Sequence, residues 1–337
     1  MPYSPPSLLL QWHITDRCNL RCQHCYQHDY RAPGLPYERM LGILHQFMDF
    51  LCRRTTRHKG HITVTGGEPL TRQDCARFLE ELSRHQDLFS FAVLTNGTMI
   101  DKSWAERFAR WKPAFVQISL DGGQTVHDAI RGAGAFERAI AAIAMLVQHK
   151  VKTYISFTAH KNNYREFAEV SRIGRKLGVA RVWADRLIPE TQEQQELSLS
   201  PEQTQEFLEL MLQQRMLVSK SGVATEIAMH RALQFLYSDS APYRCSAGNT
   251  LITVLPDGVL YPCRRLPIEV GNLLQTSLVD LYESEIMRSL RQPEKVAQGC
   301  EACAFASVCR GGLRCLAYAV HGRYDLADPG CWLAEGS

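Results

Sequence analysis

The sequence predicts an α/β protein in which parallel strands alternate with helices, followed by a smaller cysteine-rich region. From about residue 8 to 189, short runs of β-branched and aromatic residues alternate with longer segments whose apolar residues recur at helical spacing. Seven of the twelve cysteines then lie between residues 245 and 331. At 337 residues, the chain is long enough for one large domain with an appendage, or for two domains.

The first half of the chain contains six predicted strands with helices between them. The predicted strands are 8–15, 61–66, 91–96, 115–121, 151–159 and 179–188, and the predicted helices are 37–53, 72–86, 101–110, 134–149 and 163–177. Strands that alternate with helices at this period pair in parallel through right-handed crossovers. The loops at the carboxyl ends of such strands are therefore the expected location of a functional site.

A polar, glutamine-rich stretch after Pro189 leads to two further predicted helices, 201–219 and 226–237. Ser200 is the predicted N-cap of the first, because Gln203 can complete a capping box. Residues 254–263 predict a hairpin, since the Pro-Asp-Gly at 256–258 is typical of a turn.

The charge balance and the apolar runs exclude several classes of partner. There are 38 basic and 35 acidic residues, and the resulting net charge of +3 predicts neither a nucleic acid partner nor a membrane partner. The N-terminus has no basic segment of the kind that begins a signal peptide, and the apolar run at 139–147 is shorter than the roughly 20 residues of a membrane span. We therefore expect a cytoplasmic protein, in which clustered cysteines bind metals or act in catalysis.

Cys18, Cys22 and Cys25 follow the first predicted strand, separated by three and two residues. Such a loop can bind one metal cluster through three thiolates, and a four-iron, four-sulfur cube then keeps one iron open to another ligand. The alternative is a zinc knuckle, for which His24 or His28 would supply the fourth ligand.

The sequence Gly-Gly-Glu-Pro at 66–69 ends the second predicted strand, and together with the preceding cysteine loop it resembles the radical S-adenosylmethionine (radical SAM) superfamily. This resemblance implies a partial six-stranded β/α barrel over residues 7–190, in which SAM chelates the open iron. It also implies reductive cleavage of SAM to a 5′-deoxyadenosyl radical, which abstracts hydrogen from a substrate. One departure is His24, at a position that is often Phe or Tyr in the family.

The resemblance also implies which residues surround SAM. Those expected at the cofactor are Gly66, Gly67, Glu68, Ser119, Asp121 and Arg131, with Glu68 accepting from the methionine ammonium group. For the last three, strand-end capping and an ion pair remain alternatives.

The C-terminal cysteines resemble the SPASM extension of radical SAM enzymes, which carries two auxiliary clusters, here over residues 241–337 after a linker with bridging helices at 191–240. By this resemblance the outer cluster is bound by Cys300, Cys303, Cys309 and Cys331, and the inner cluster by Cys245, Cys263 and Cys315. With the first loop, this makes three [4Fe–4S] clusters. The chain departs from the family at Leu313, where a cysteine is usual. A structural zinc ribbon is the alternative, and we expect Cys52 and Cys75 to be packing residues.

SPASM members of the family act mainly on peptides, so the resemblance implies oxidative modification of a ribosomally made peptide or protein, such as a thioether or carbon–carbon crosslink. The implied partners are the peptide, a reducing donor such as flavodoxin or ferredoxin, and a separate leader-recognition protein, because the barrel begins within ten residues of Met1. The alternatives are an enzyme that tailors a tetrapyrrole or another small molecule, and a non-catalytic metal scaffold or electron carrier.

Overall fold

The fold is a single ten-stranded sheet with helices packed along it. The computed structural model describes residues 5–27, 29–54, 60–222, 224–237, 243–291 and 296–334. The strands are β1 Leu9–His13, β2 Gly60–Thr65, β3 Phe89–Thr95, β4 Phe115–Ser119, β5 Thr153–Ala159, β6 Arg181–Arg186, β7 Glu226–Ala228, β8 Leu251–Val254, β9 Val259–Tyr261 and β10 Gly271–Asn272. Their order in the sheet is β10-β9-β8-β1-β2-β3-β4-β5-β6-β7, and all neighbours from β8 to β7 are parallel.

Twelve α-helices connect or follow the strands in the described part of the chain. They are α1 Tyr37–Arg54, α2 Cys75–Ser83, α3 Lys102–Trp111, α4 Gln124–Arg131, α5 Ala135–Gln148, α6 Phe167–Leu177, α7 Gln192–Glu196, α8 Pro201–Ser221, α9 Leu278–Tyr282, α10 Glu285–Arg291, α11 Ala306–Cys309 and α12 Arg314–His321. None of the described helices is both long and apolar enough to cross a membrane.

The predicted alternation of strands and helices is confirmed for β1 to β6, although each end differs by a few residues. Between β1 and β6, one helix was missing from the prediction: α4, whose eight residues are too short to reveal a periodic apolar face. Successive side chains of β1 face opposite sides of the sheet. Trp12 packs edge-on against Phe78 of α2 in the core, whereas Gln11 and His13 face the opposite side.

The predicted helix at 226–237 is wrong. Glu226 to Ala228 form β7, which pairs in parallel with Arg181 to Trp183 of β6, and only a short 3-10 turn follows at Gln234–Tyr237. Pairing satisfies the backbone groups at the open edge of β6, which a helix could not do. A salt bridge of 2.7 Å between Arg181 and Glu226 reinforces this pairing.

The predicted hairpin is confirmed as β8 and β9, which are antiparallel. Gly258 in its turn has φ +89°, a conformation that favours glycine. Because β8 also pairs in parallel with β1, the hairpin extends the sheet of the first half of the chain.

A buried salt bridge joins the end of β6 to the C-terminal segment. Arg186 donates to both carboxylate oxygens of Asp328 at 2.8 and 2.6 Å, and both side chains are almost fully buried. Asp328 also accepts from the backbone N–H groups of Leu313 and Gly330 at 2.9 Å. One carboxylate therefore connects the barrel to two turns of the cysteine-rich region.

Candidate functional site

The loop after β1 is held against the Gly-Gly-Glu turn after β2. The N–H of Gly67 donates to Thr15 O, and that of Glu68 donates to Arg17 O, both at 2.8 Å. A Cβ atom on Gly66 would lie 2.3 Å from Thr15 O, and one on Gly67 would lie 2.3 Å from Arg17 O. Both glycines are thus required by the close approach of two loops, which brings the turn next to the segment that carries the first cysteines.

Glu68 is fully buried where β2 and β3 end. Its Oε1 accepts from Leu70 N at 3.1 Å and from Thr95 Oγ1 at 2.8 Å, and its Oε2 accepts from Asn96 N at 2.8 Å. Burial raises the pKa of this carboxyl to about 7, although the hydrogen bonds from Asn96 and Leu70 oppose the shift. Glu68 therefore joins the two strand ends, whatever else it binds.

The Thr-Asn-Gly-Thr segment after β3 also contacts the cysteine loop. Asn96 Nδ2 donates to Asn19 Oδ1 at 2.9 Å, and Asn19 Nδ2 donates to Thr98 Oγ1 at 2.8 Å. Asn19 was not among the predicted site residues, because nothing in the local sequence indicates a contact between residues that are 77 positions apart.

Cys18, Cys22 and Cys25 are free thiols that are partly exposed on this loop. The pKa of the Cys18 thiol is raised to about 11, chiefly by burial. The negative charges of Cys22 and Cys25, which lie nearby, contribute to this rise. A thiol with the pKa of Cys18 becomes a thiolate near pH 7 only against a positive centre such as a metal. Gln194 Nε2 donates to Cys25 O at 2.9 Å and fixes the end of the loop.

Asp121 and Arg131 form a buried ion pair behind the cysteine loop. Arg131 Nε donates to Asp121 Oδ2 at 2.5 Å, and Arg131 Nη1 lies 3.8 Å from Cys22 Sγ. His24 Nε2 is 3.5 Å from the same carboxylate. Burial by itself would raise the pKa of Asp121, but the charges of Arg131 and His24 outweigh it and bring the pKa to about 2. Ser119, at the end of β4, is partly buried.

Four C-terminal cysteines line one small apolar pocket: Cys300, Cys303, Cys309 and Cys331. Burial chiefly raises the pKa of Cys300 to about 11, and the other three cysteines add to this rise. The aromatic ring of Phe305 forms part of the pocket wall.

The remaining three C-terminal cysteines form a second group. Burial raises the pKa of Cys315, and the charges of Cys263 and Cys245 raise it further, while Arg265 lowers it. Leu313, where a cysteine is usual in SPASM domains, is 3% exposed and packs in a small apolar cluster with Ile188. Cys315 is in the first turn of α12, so the longer loop still brings a thiol to this group.

The geometry does not resemble that of a site for one metal ion. Among the described residues, no three His, Cys, Asp or Glu side chains converge closely enough to hold a single ion. Thiolates around a four-iron cube bind separate irons and so stand further apart than the ligands of one zinc ion. His28, one ligand considered for the zinc knuckle, lies outside the described residues.

Two cysteines lie outside the three groups. Cys75 is fully buried in the core, as expected of a packing residue, whereas Cys52 is exposed on α1, so its predicted packing role is wrong. The periodicity of α1 did not reveal this, because Cys52 lies in its last turn, where the apolar face ends.

Two family models match the chain. Residues 12–172 match the radical SAM superfamily, and residues 245–304 match SPASM, an iron-sulfur cluster-binding domain. The second match stops before Cys309, Cys315 and Cys331. The cofactors of the chain are thus S-adenosylmethionine and iron–sulfur clusters.

Curated relatives match nearly the whole chain. An AdoMet-dependent heme synthase of Methanosarcina barkeri is 26% identical over 97% of this chain and 97% of its own. The mycofactocin maturase MftC of Mycobacterium tuberculosis is 28% identical over 96% of this chain and 82% of its own.

Solved structures share the fold. The structure of anSMEcpe with bound AdoMet and Cp18Cys peptide has a TM-score of 0.78 at 21% identity, covering 97% of this chain and 94% of its own. The structure of Streptococcus suis SuiB bound to the precursor peptide SuiA has a TM-score of 0.73 at 18% identity, and the match covers 97% of this chain and 76% of the SuiB chain.

Proposed function

The chain belongs to the radical SAM superfamily of enzymes and carries a SPASM domain, and we propose that it oxidatively modifies a ribosomally made peptide or protein. The observation that carries the proposal is the position of Cys18, Cys22 and Cys25 beside the Gly-Gly-Glu turn, with two further cysteine groups in the C-terminal region. The product would be a crosslink or a related modification that removes hydrogen.

We assign one [4Fe–4S] cluster to each cysteine group, three in all. Cys18, Cys22 and Cys25 would hold the cluster that binds SAM, the four cysteines of the apolar pocket would hold the outer auxiliary cluster, and Cys245, Cys263 and Cys315 would hold the inner one. When bound, the reduced cluster and SAM supply a 5′-deoxyadenosyl radical that abstracts a hydrogen atom, and the auxiliary clusters accept an electron from the substrate.

The protein's own residues would position SAM and keep water out. The backbone of Gly66 and Gly67 would lie along the methionine moiety, on a turn that hydrogen bonds to the loop after β1 hold in place. Glu68 would accept from the methionine ammonium group as well as from its three protein donors, since two carboxylate oxygens offer about four acceptor sites. Ser119 is proposed to lie near SAM, and Asp121 to hold Arg131 against Cys22 and the bound cofactor.

The peptide substrate is supported by the maturase among the relatives and by the fold shared with peptide-bound structures. A tetrapyrrole is the second candidate, because the alignment with the heme synthase covers 97% of this chain and 97% of the synthase. A non-catalytic scaffold has no support, since the superfamily is one of enzymes. We also propose a flavodoxin or ferredoxin as the electron donor and a separate protein that recognises the leader of the peptide. The proposed domain boundaries are 7–190 for the barrel, 191–240 for the linker and 241–337 for the SPASM domain.

The test uses anaerobically reconstituted, reduced enzyme with SAM. Candidate peptides encoded beside its gene are compared with iron-coproporphyrin III as substrates, and both 5′-deoxyadenosine and the mass of each substrate are measured. A peptide that loses pairs of hydrogen atoms supports the proposal. Oxidation of the tetrapyrrole with no change in any peptide would overturn the peptide assignment and leave the radical chemistry in place.

A further inference from the structure

A cavity of about 570 Å³ lies between the barrel and the C-terminal hairpin. Its wall is built from the end of β1, residues 26, 27 and 32–36 after the cysteine loop, Glu190 after β6, and residues between 255 and 267 of the hairpin and its continuation. Its volume is in the range of about 300–1,000 Å³ that is usual for ligand sites. The family models and the motifs of the sequence assign no role to it.

The cavity adjoins the place where we assign SAM. Tyr26, which follows Cys25 directly, lines the cavity, and its hydroxyl donates to Gly66 O at 3.0 Å. A molecule in the cavity would therefore be separated from the Gly-Gly-Glu turn by a single side chain. This is the location that a substrate needs if a radical formed at SAM is to reach it.

The charged side chains that line the cavity are mostly acidic. They are Asp16, Glu190, Asp257 and Arg264. Arg264 lies 3.3 Å from Glu190 Oε1, donates to Tyr26 O at 2.8 Å and stacks on the Tyr26 ring. Since Arg264 and Glu190 offset each other, the carboxylates of Asp16 and Asp257 leave a surplus of negative charge.

A buried histidine also lines the cavity. His13 is 2% exposed, and its Nε2 has no hydrogen-bond partner among the described residues. Burial, together with the charge of Arg264, lowers the pKa of His13 to about 3, so the imidazole is neutral near pH 7. Leaving a buried polar atom unpaired destabilises a fold, so an unpaired nitrogen at the wall of a cavity calls for a partner that a bound molecule can supply.

We propose that this cavity binds a segment of the peptide substrate that carries a positively charged side chain, with Asp16 pairing with the cation and His13 hydrogen-bonding to the segment. The inference rests on the proposed peptide substrate and adds that the bound segment of this peptide is positively charged. A tetrapyrrole that carries several carboxylates would place them against Asp16 and Asp257, and its binding here would be unfavourable.

The first experiment measures binding of probes to the reconstituted holoenzyme with SAM present. The probes are three capped ten-residue peptides of Gly, Ala and Ser that differ only in a central Lys, Gln or Glu, together with iron-coproporphyrin III. A partly exposed charge pair predicts that the Lys peptide binds about fivefold more tightly than the Gln peptide. Asp16→Asn should abolish this preference, whereas Asp87→Asn, which removes an exposed carboxylate from the loop between α2 and β3, should retain it.

Equal binding of the three peptides, or tighter binding of the Glu peptide or of iron-coproporphyrin III, would overturn the inference. Release of 5′-deoxyadenosine that is stimulated by the tetrapyrrole and by no peptide would instead overturn the proposed substrate class. The two failures are therefore distinguishable.

The second experiment separates a binding role of His13 from a structural one. His13→Leu removes the unpaired nitrogen, so its Tm should equal or exceed that of the wild type while its affinity for the Lys peptide falls about fivefold. His13→Gln retains a polar group and should restore part of that affinity. Wild-type affinity in both variants, or a lower Tm in His13→Leu with unchanged affinity, would overturn the role of His13.

Discussion

The two cysteine regions of this molecule are assembled in different ways. Cys18, Cys22 and Cys25 lie within eight residues of one loop, and hydrogen bonds to the ends of β2 and β3 hold that loop in place. The C-terminal cysteines are spread from Cys245 to Cys331 and converge only because a hairpin, α12 and the final segment pack on the barrel. The first site is thus a property of a short stretch of chain, whereas the second is a property of the tertiary fold.

Because of this difference, we expect the two cysteine regions to be sensitive to different mutations. Changes within the first loop should remove one site and spare the other. Loss of the bridge between Arg186 and Asp328 should damage the auxiliary sites first, since that bridge contacts the C-terminal turns and no cysteine of the first loop.

The largest effect is expected when Cys18, Cys22 and Cys25 are all replaced by Ala. This variant should release no 5′-deoxyadenosine from SAM, because we assign the cluster that binds SAM to this loop alone. The iron–sulfur absorbance of the C-terminal groups should persist, which anaerobic spectroscopy measures. A triple variant that still cleaves SAM would place catalysis in the C-terminal region and reverse the comparison.

Breaking the buried salt bridge should come next. Arg186→Met leaves Asp328 buried without its bidentate partner, and removing one member of such a pair costs about 3–5 kcal/mol in the free energy of unfolding. Denaturant titration measures this loss, and iron analysis should show that the C-terminal clusters are depleted. Arg172→Met is the matched control: its pair with Glu169 is largely exposed, so it should cost less than about 1 kcal/mol.

Depletion of the first cluster before the C-terminal ones in Arg186→Met would contradict the separation of the two regions.

Glu68→Gln should have an intermediate effect on the first site. The amide cannot make the charge-assisted contact with the methionine ammonium group, so SAM affinity should fall by about 1.5–3 kcal/mol. Calorimetry on the reconstituted protein measures the affinity, and iron analysis should show that the cluster still assembles. If SAM binds the variant as tightly as the wild type, Glu68 serves only to join β2 and β3.

The smallest change is expected from Cys315→Ala, which tests whether the longer loop after Leu313 supplies the inner cluster. Wild-type protein should bind about 12 irons if each group holds a four-iron cube, and the variant about 8. Cys52→Ala, which alters an exposed cysteine outside the three groups, is the control and should retain the full content. Stoichiometric zinc with little iron in the wild type would refute all three cluster assignments.

The sequence alone was sufficient to predict those parts of the structure that depend on residues close together in the chain. Strands β1 to β6 and the hairpin turn at Gly258 follow from apolar periodicity and turn chemistry, which act over a few residues. The grouping of Cys18, Cys22 and Cys25 follows from their spacing, because two or three intervening residues cannot separate thiols on one loop by much. The Gly-Gly-Glu turn was predicted to adjoin this loop, since the carboxyl ends of neighbouring parallel strands meet at one edge of the sheet.

Only the tertiary structure decided which distant residues meet. Nothing near Glu226 indicates that it pairs with β6 rather than forming a helix, because the open edge that it satisfies belongs to a strand whose paired residue, Arg181, lies 45 residues earlier. The bridge from Arg186 to Asp328 and the unpaired nitrogen of His13 are likewise invisible in the sequence. Burial and long-range pairing depend on the packing of the whole chain, which local spacing does not encode.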